Sequence, residues 1–255
     1  MTAARITSKA FFEPNPKDPI LVCGMPGSGY VGKLAVDHLV EAFKGKKFTK
    51  AWSGEFPPQG NVGEDGVVNA ISGEFYMCET GQERDLLVFT ADAQPATTNG
   101  EYELSEWVLQ LAKRYGAKLV FSLAAYITGA FTAEQRVFGA ATSPELTSRM
   151  SDEGVKIMKE GAISGMNGII IGMAKFHGME GASLLGETSG YLVDPVASEA
   201  VLDAFSRTLK LTVDLASLRD KAKEAKQVIG QIQKMSEQES GARGGNPTGQ
   251  PGYIG

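Results

Sequence analysis

A three-layer α/β domain with a mostly parallel central sheet is what this chain predicts, on three observations. Short unbroken apolar runs recur between turn residues, segments of helical period stand between those runs, and the alternation continues from Pro19 to beyond Pro195. Strands buried on both faces and linked by helices build such a sandwich.

Pro19-Ile-Leu-Val-Cys-Gly24 is the first run and is apolar throughout, as a doubly covered strand requires. A Pro26-Gly27-Ser28-Gly29 turn follows. Val31, Leu34, Ala35, Leu39, Ala42 and Phe43 then recur at three- and four-residue spacing before Gly45, which predicts a helix and its stop. Phe48 to Gly54 is a weaker strand, and Val67 to Cys78 and Asp85 to Thr90 are further strands. Leu104, Trp107, Val108, Leu111 and Tyr115 mark one helix face, and Lys118 to Leu123 returns to strand. Phe138 to Thr142 is another candidate strand, Pro144 opens a short helix, Gly168 to Gly172 is apolar enough for the core, and Leu192-Val193 closes the sheet region.

From Pro195 the pattern is helical, with Ala197, Val201, Ala204, Phe205 and Leu209 on one side. Leu215, Leu218, Ala222, Ala225, Ile229 and Ile232 then step by three and four residues, a short seam that suits either packing on its own domain or pairing between subunits. The last twenty residues, from Ser236, are rich in Gly, Pro, Ser and polar residues, which cannot bury enough apolar surface to offset the entropy of ordering. The chain thus divides into an N-terminal lead (1–18), an α/β domain (19–214), a C-terminal helix (215–235) and a flexible tail (236–255). The tail carries Tyr253-Ile254-Gly255 after Gly252, a composition with no folding role and therefore a candidate docking group.

Composition excludes several classes of function. The 255 residues are 42% hydrophobic, enough for a proper core. Against 30 acidic residues stand 25 basic ones, a net charge of −5 with no Lys/Arg run, so nucleic acid is not an expected partner. No stretch approaches about 18 consecutive apolar residues, and Met1-Thr-Ala-Ala-Arg-Ile6 lacks the order of a signal peptide, so no membrane partner and a cytoplasmic location are expected. Cys23 and Cys78 sit in apolar runs as buried thiols of a reducing compartment.

Chemical signals are sparse. Gly27-Ser-Gly29-Tyr-Val-Gly32 has the spacing of a dinucleotide-binding loop between strand and helix, with Glu55 as a loosely placed ribose-binding acid. In a second register Gly27 to Lys33 imitates a phosphate-binding loop, but Leu34 stands where a Mg²⁺-ligating Ser or Thr is needed. A tight turn with close helix–sheet packing is the plainer reading. His38 and His177 are too few for a metal site or a histidine-based triad, so no metal or cofactor is expected. Asp92, Glu187 and Asp194 fall at strand ends, and Tyr126, Arg136 and Glu187 are the residues that could act in a pocket.

Three segments together resemble the proteasome assembly chaperone family in its archaeal form: Pro19-Ile-Leu-Val-Cys-Gly-Met-Pro-Gly-Ser-Gly-Tyr-Val-Gly-Lys-Leu-Ala35, Gly161-Ala-Ile-Ser-Gly-Met-Asn-Gly168 and Leu184-Leu-Gly-Glu-Thr-Ser-Gly-Tyr-Leu-Val-Asp-Pro195. The resemblance spans roughly Pro19 to Leu218. It implies a nucleoside-phosphorylase-like architecture without catalysis, a small homo-oligomer, and the α-subunits of the core proteasome as partner. It further implies a C-terminal tail whose hydrophobic-tyrosine-any ending enters pockets between those α-subunits. Here Tyr253 stands third from the end rather than second, which moves the chain-end carboxylate by about 3.3 Å relative to the aromatic ring. The alternative reading is a nucleotide- or nucleoside-binding enzyme using the Gly27 to Gly32 loop of the same fold.

Overall fold

The computed structural model describes residues 6–129, 135–225 and 227. An edge strand, β1 (Thr7–Ala10), and the buried β2 (Ile20–Gly24) lead through one 3-10 turn into α1 (Val31–Ala42). Then come β3 (Lys46–Trp52), a ribbon of β4 (Gly60–Val62) and β5 (Val68–Ala70), β6 (Gly73–Cys78) and β7 (Leu86–Ala91). Thr97 caps α2 (Thr98–Arg114), its hydroxyl accepting from the Gly100 amide at 3.1 Å. Next are β8 (Leu119–Ile127), β9 (Val137–Ala141) and α3 (Pro144–Asp152), whose proline follows the capping Ser143. The short β10 (Lys156–Ile157), α4 (Met166–Ala174) and β11 (Glu180–Thr188) precede α5 (Pro195–Leu209), again opened by a proline behind a cap, Asp194. Residues 216–225 form a last described helix, α6.

Nine strands make one sheet in the order β1-β3-β6-β7-β2-β8-β11-β9-β10. Its centre, β7-β2-β8-β11, is parallel throughout. Every residue of β2 and β7 is buried, so these strands are apolar runs rather than alternations. The flanks are mixed: β1, β3, β6 and β7 pair antiparallel in turn, and β9 is antiparallel to β11 but parallel to β10. The connection between β6 and β7 is too short for a crossover, and only an antiparallel return is open to it.

Two cores lie against the sheet. One is shared by α1, α3, α5 and α6, the other by α2 and α4 with the aromatic cluster Phe48, Phe75 and Phe89. The expected three-layer order is thus present. Within the segment read as a C-terminal helix (215–235), α6 packs on its own domain: Leu215 and Leu218 are buried in the first core, and Ala222 is buried as well. His38 holds it there, Nε2 donating to the Asp214 carbonyl at 2.6 Å with Nδ1 3.3 Å from the Ser217 hydroxyl. Ile229 and Ile232 lie outside the described residues.

Three local readings change. Val67 to Cys78 is two strands, because Ser72 turns aside to give its amide and hydroxyl to Asp92 at 2.9 and 3.0 Å. Leu192 and Val193 are exposed loop residues, and the strand beside β8 is β11. The Gly, Ser and Glu residues of β11 mask its strand character in sequence, whereas pairing on both edges supplies it in the fold. Thr7–Ala10, within the segment read as a lead, completes one edge of the sheet.

At Gly32 a Cβ would sit 1.9 Å from the Leu123 carbonyl oxygen, and at Gly24 one would sit 2.3 Å from the Gly32 carbonyl oxygen. This contact seats α1 closely on the sheet. Gly32→Ala is expected to lower stability by about 3 kcal/mol through forced displacement of α1. The readout is a lower denaturation midpoint at unchanged m-value. Gly172→Ala, where a Cβ meets nothing within 4 Å, is the control and should not destabilise.

Candidate functional site

Where α1 leaves the end of β2 toward one face and β8 receives the chain from α2 on the other, the carboxyl ends of the two strands open a cleft of about 580 Å³. Open α/β sheets place ligands at such switch points. Gly27, Ser28 and Val31 line it from the first motif, Ser164, Gly165 and Asn167 from the second, and Leu185 from the third. All three segments that carry the family resemblance therefore meet here.

The first loop is held from two sides. Gly29 takes φ 64° and Tyr30 φ 53°, a left-handed pair that turns the chain into α1, and the Asp194 amide donates to the Gly29 carbonyl at 2.8 Å. Asp194 also accepts from the Ala197 amide at 2.9 Å and from the Thr188 hydroxyl at 2.7 Å. On the other side Gln94 donates from Nε2 to the Pro26 carbonyl at 2.8 Å and accepts from the Met166 amide at 3.2 Å. Gln94 thus fixes both the glycine loop and the start of α4. Nothing in the sequence singles out this residue, because a lone glutamine after a strand has no local pattern.

Lys33 does not face the cleft: its Nζ lies 2.5 Å from Asp37 one turn along α1. Glu55 is elsewhere too, accepting from the Thr97 hydroxyl at the start of α2. Glu101 and Asn167 do line the cleft, and neither was marked by spacing or composition.

Of the sequence candidates, Tyr126, Arg136 and Glu187 are brought together. Glu187 pairs in register with Tyr126, whose ring stacks on Phe138 at 4.1 Å between centroids. Arg136 lies over the other ring, 5.6 Å from the Phe138 centroid, and grips the Glu187 carboxylate with two nitrogens, Nε at 2.5 Å. The Glu187 side chain is fully buried and that of Arg136 is 36% exposed. The Arg136 hydrogen bonds hold the Glu187 carboxyl below its ordinary range, against the opposing effect of burial. Tyr126 alone of the three lines the cleft.

Other candidates are structural. Asp92 and Asp194 bind backbone and hydroxyl groups as above, and His177 Nε2 lies 2.8 Å from Glu106. Burial pushes the Cys23 thiol far up and the Cys78 thiol to about 12, so neither is poised as a thiolate. Among the described residues no group of His, Cys, Asp and Glu could hold a metal ion, and no helix is long and apolar enough to cross a membrane. Gly252, Tyr253, Ile254 and Gly255 lie outside the described residues.

Because the folded Glu187 carboxyl titrates below its unfolded value, its contribution to stability is full above the unfolded value and fades as pH falls through the folded one. Arg136→Ala is expected to cost about 2 kcal/mol at pH 7, less than for a fully buried pair because the guanidinium is partly in water. That cost should shrink at acid pH, where protonation removes the stranded charge. Urea titrations of both proteins from pH 7 down to about pH 4 check the sign.

A family model described as the PAC2 family matches residues 21–233. The uncharacterized protein MJ1210 of Methanocaldococcus jannaschii is 34% identical over 223 residues, covering 87% of this chain and 86% of that protein. In structure the chain is similar to Pyrococcus furiosus PbaB, an archaeal proteasome activator, with TM-score 0.83, 32% identity, and coverage of 91% of this chain and 100% of that one. It is also similar to Pyrococcus furiosus PbaA, an archaeal homolog of proteasome-assembly chaperone, with TM-score 0.72, 28% identity, and coverage of 92% and 94%. With the three motifs converging on one cleft inside a fold shared over nearly its whole described length, the chain belongs to the PAC2 family, the proteasome assembly chaperone family.

Proposed function

We propose that this protein is a non-enzymatic assembly chaperone or adaptor that binds the α-ring of the core proteasome as a homo-oligomer, docking through Gly252, Tyr253, Ile254 and Gly255. The observation that carries the reading is the likeness to the proteasome activator PbaB, which at 32% identity extends over all of that chain. PbaA, a homolog of proteasome-assembly chaperone, supports the same partner. The chain's own contribution is the tail, where Tyr253 and Ile254 are, prolines aside, the only apolar side chains from Pro247 onward. Several tails on one oligomer would act together through their high effective concentration. The cytoplasm, where such a partner is met, is the matching compartment.

The lack of an enzymatic role is supported by the glycine loop, whose Lys33 is engaged by Asp37 and whose next residue, Leu34, offers no hydroxyl to a metal. Self-association through α6 would have to use a face other than that of Leu218 and Ala222, which are buried within the protomer.

Capture of purified core particles by the full chain, with sizing by light scattering, tests the reading. Removal of Tyr253 to Gly255 should abolish capture, and Tyr253→Ala should cost about 2 kcal/mol per engaged tail. Equal capture by the truncated chain would overturn docking by the tail, and no capture by the full chain would overturn the partner.

A further inference from the structure

Docking as proposed above does not call on the cleft at the ends of β2 and β8, which is lined by residues of the described body. We propose that this cleft binds a small planar molecule, neutral or cationic, through that molecule's N–H groups.

Its volume of about 580 Å³ falls within the range of small-molecule sites. Two acceptors stand in the polar lining beside the hydroxyls of Ser28, Ser164 and Tyr126. Glu101 brings a carboxylate, and Asn167, only 8% exposed, has a side-chain oxygen with no hydrogen-bond partner among the described residues. Glu103 and Ser105 also have unpartnered oxygens, but neither lines the cleft. An unpaired acceptor in a buried position is costly, and a ligand N–H would satisfy it.

Charge decides against an anion. Among the described residues no Lys, Arg or His lines the cleft. The start of α1 has no side-chain cap and could attract a phosphate. Its dipole, however, is equivalent to roughly half an elementary charge, against the full negative charge of Glu101. The preference for a planar group comes from Tyr126, an aromatic side chain in the wall on which a flat molecule can stack, with the small Ala124 and Ala125 beside it. A nucleobase and a guanidinium compound both present planar N–H donors of this kind.

Titration calorimetry and thermal shift on the full chain test the proposal with adenosine and agmatine as probes and AMP and inorganic phosphate as comparators. Saturable binding of either probe at submillimolar concentration is expected, adenosine if the source is a nucleobase and agmatine if it is a guanidinium compound. AMP should bind more weakly than adenosine, and phosphate should give no signal. Glu101→Gln and Asn167→Ala should each weaken the bound probe by about tenfold, the loss of one hydrogen bond to a buried or charged group. Glu101 is partly exposed, so its variant keeps the test readable if Asn167→Ala fails to fold. Absence of binding by both probes, equal binding of AMP or phosphate, or full affinity in Glu101→Gln would overturn the proposal. Capture of core particles by Glu101→Gln, unchanged if the cleft and the tail are separate, keeps this outcome distinct from failure of the proteasome reading.

Discussion

The close seating of α1 on the sheet is the constraint on which the rest depends. Gly32 lies so near the Leu123 carbonyl, and Gly24 so near Gly32, that no side chain fits at either position. Backbone-to-backbone approach of this kind brings the start of α1 down to the strand ends and sets the height of the glycine loop. Everything around the cleft is measured from that height: Asp194 reaches Gly29 from the start of α5, and Gln94 reaches Pro26 from the end of β7.

Polar groups near the sheet ends are used mainly to tie segments together. Asp194 caps one helix and anchors one loop, Gln94 joins that loop to α4, and Arg136 neutralises Glu187 where β9 meets β11. Asp194, Arg136 and Glu187 would read as catalytic groups from sequence position alone, yet each is engaged by the fold. Asn167 differs in having a buried side-chain oxygen with no hydrogen-bond partner among the described residues, and Glu101 brings a carboxylate to the same cleft.

The helical seam shows how one pattern serves two ends. Spacing of three and four residues from Leu215 is equally suited to a neighbour helix or to the domain itself. His38 decides between them for the first turns, since its hydrogen bonds to residues 214 and 217 and the burial of Leu218 need α6 lying on α1 and α5. A single histidine on a core-facing helix face has that structural role rather than one in metal binding.

Sequence by itself determined the layer order, the buried central strands, most helix starts and the family. These rest on local periodicity, on prolines behind capping residues such as Asp194, and on motifs contiguous in the chain. It also marked Tyr126, Arg136 and Glu187 without saying that two of them close on each other. Only tertiary structure decided that β11, with its glycine and serine, is an inner strand, that the sheet turns antiparallel at its flanks, and that Glu101, Gln94 and Asn167 share a cleft. The physical reason is that strand pairing and site assembly depend on contacts between residues far apart in the chain, and no local period records which distant surface a polar side chain will meet.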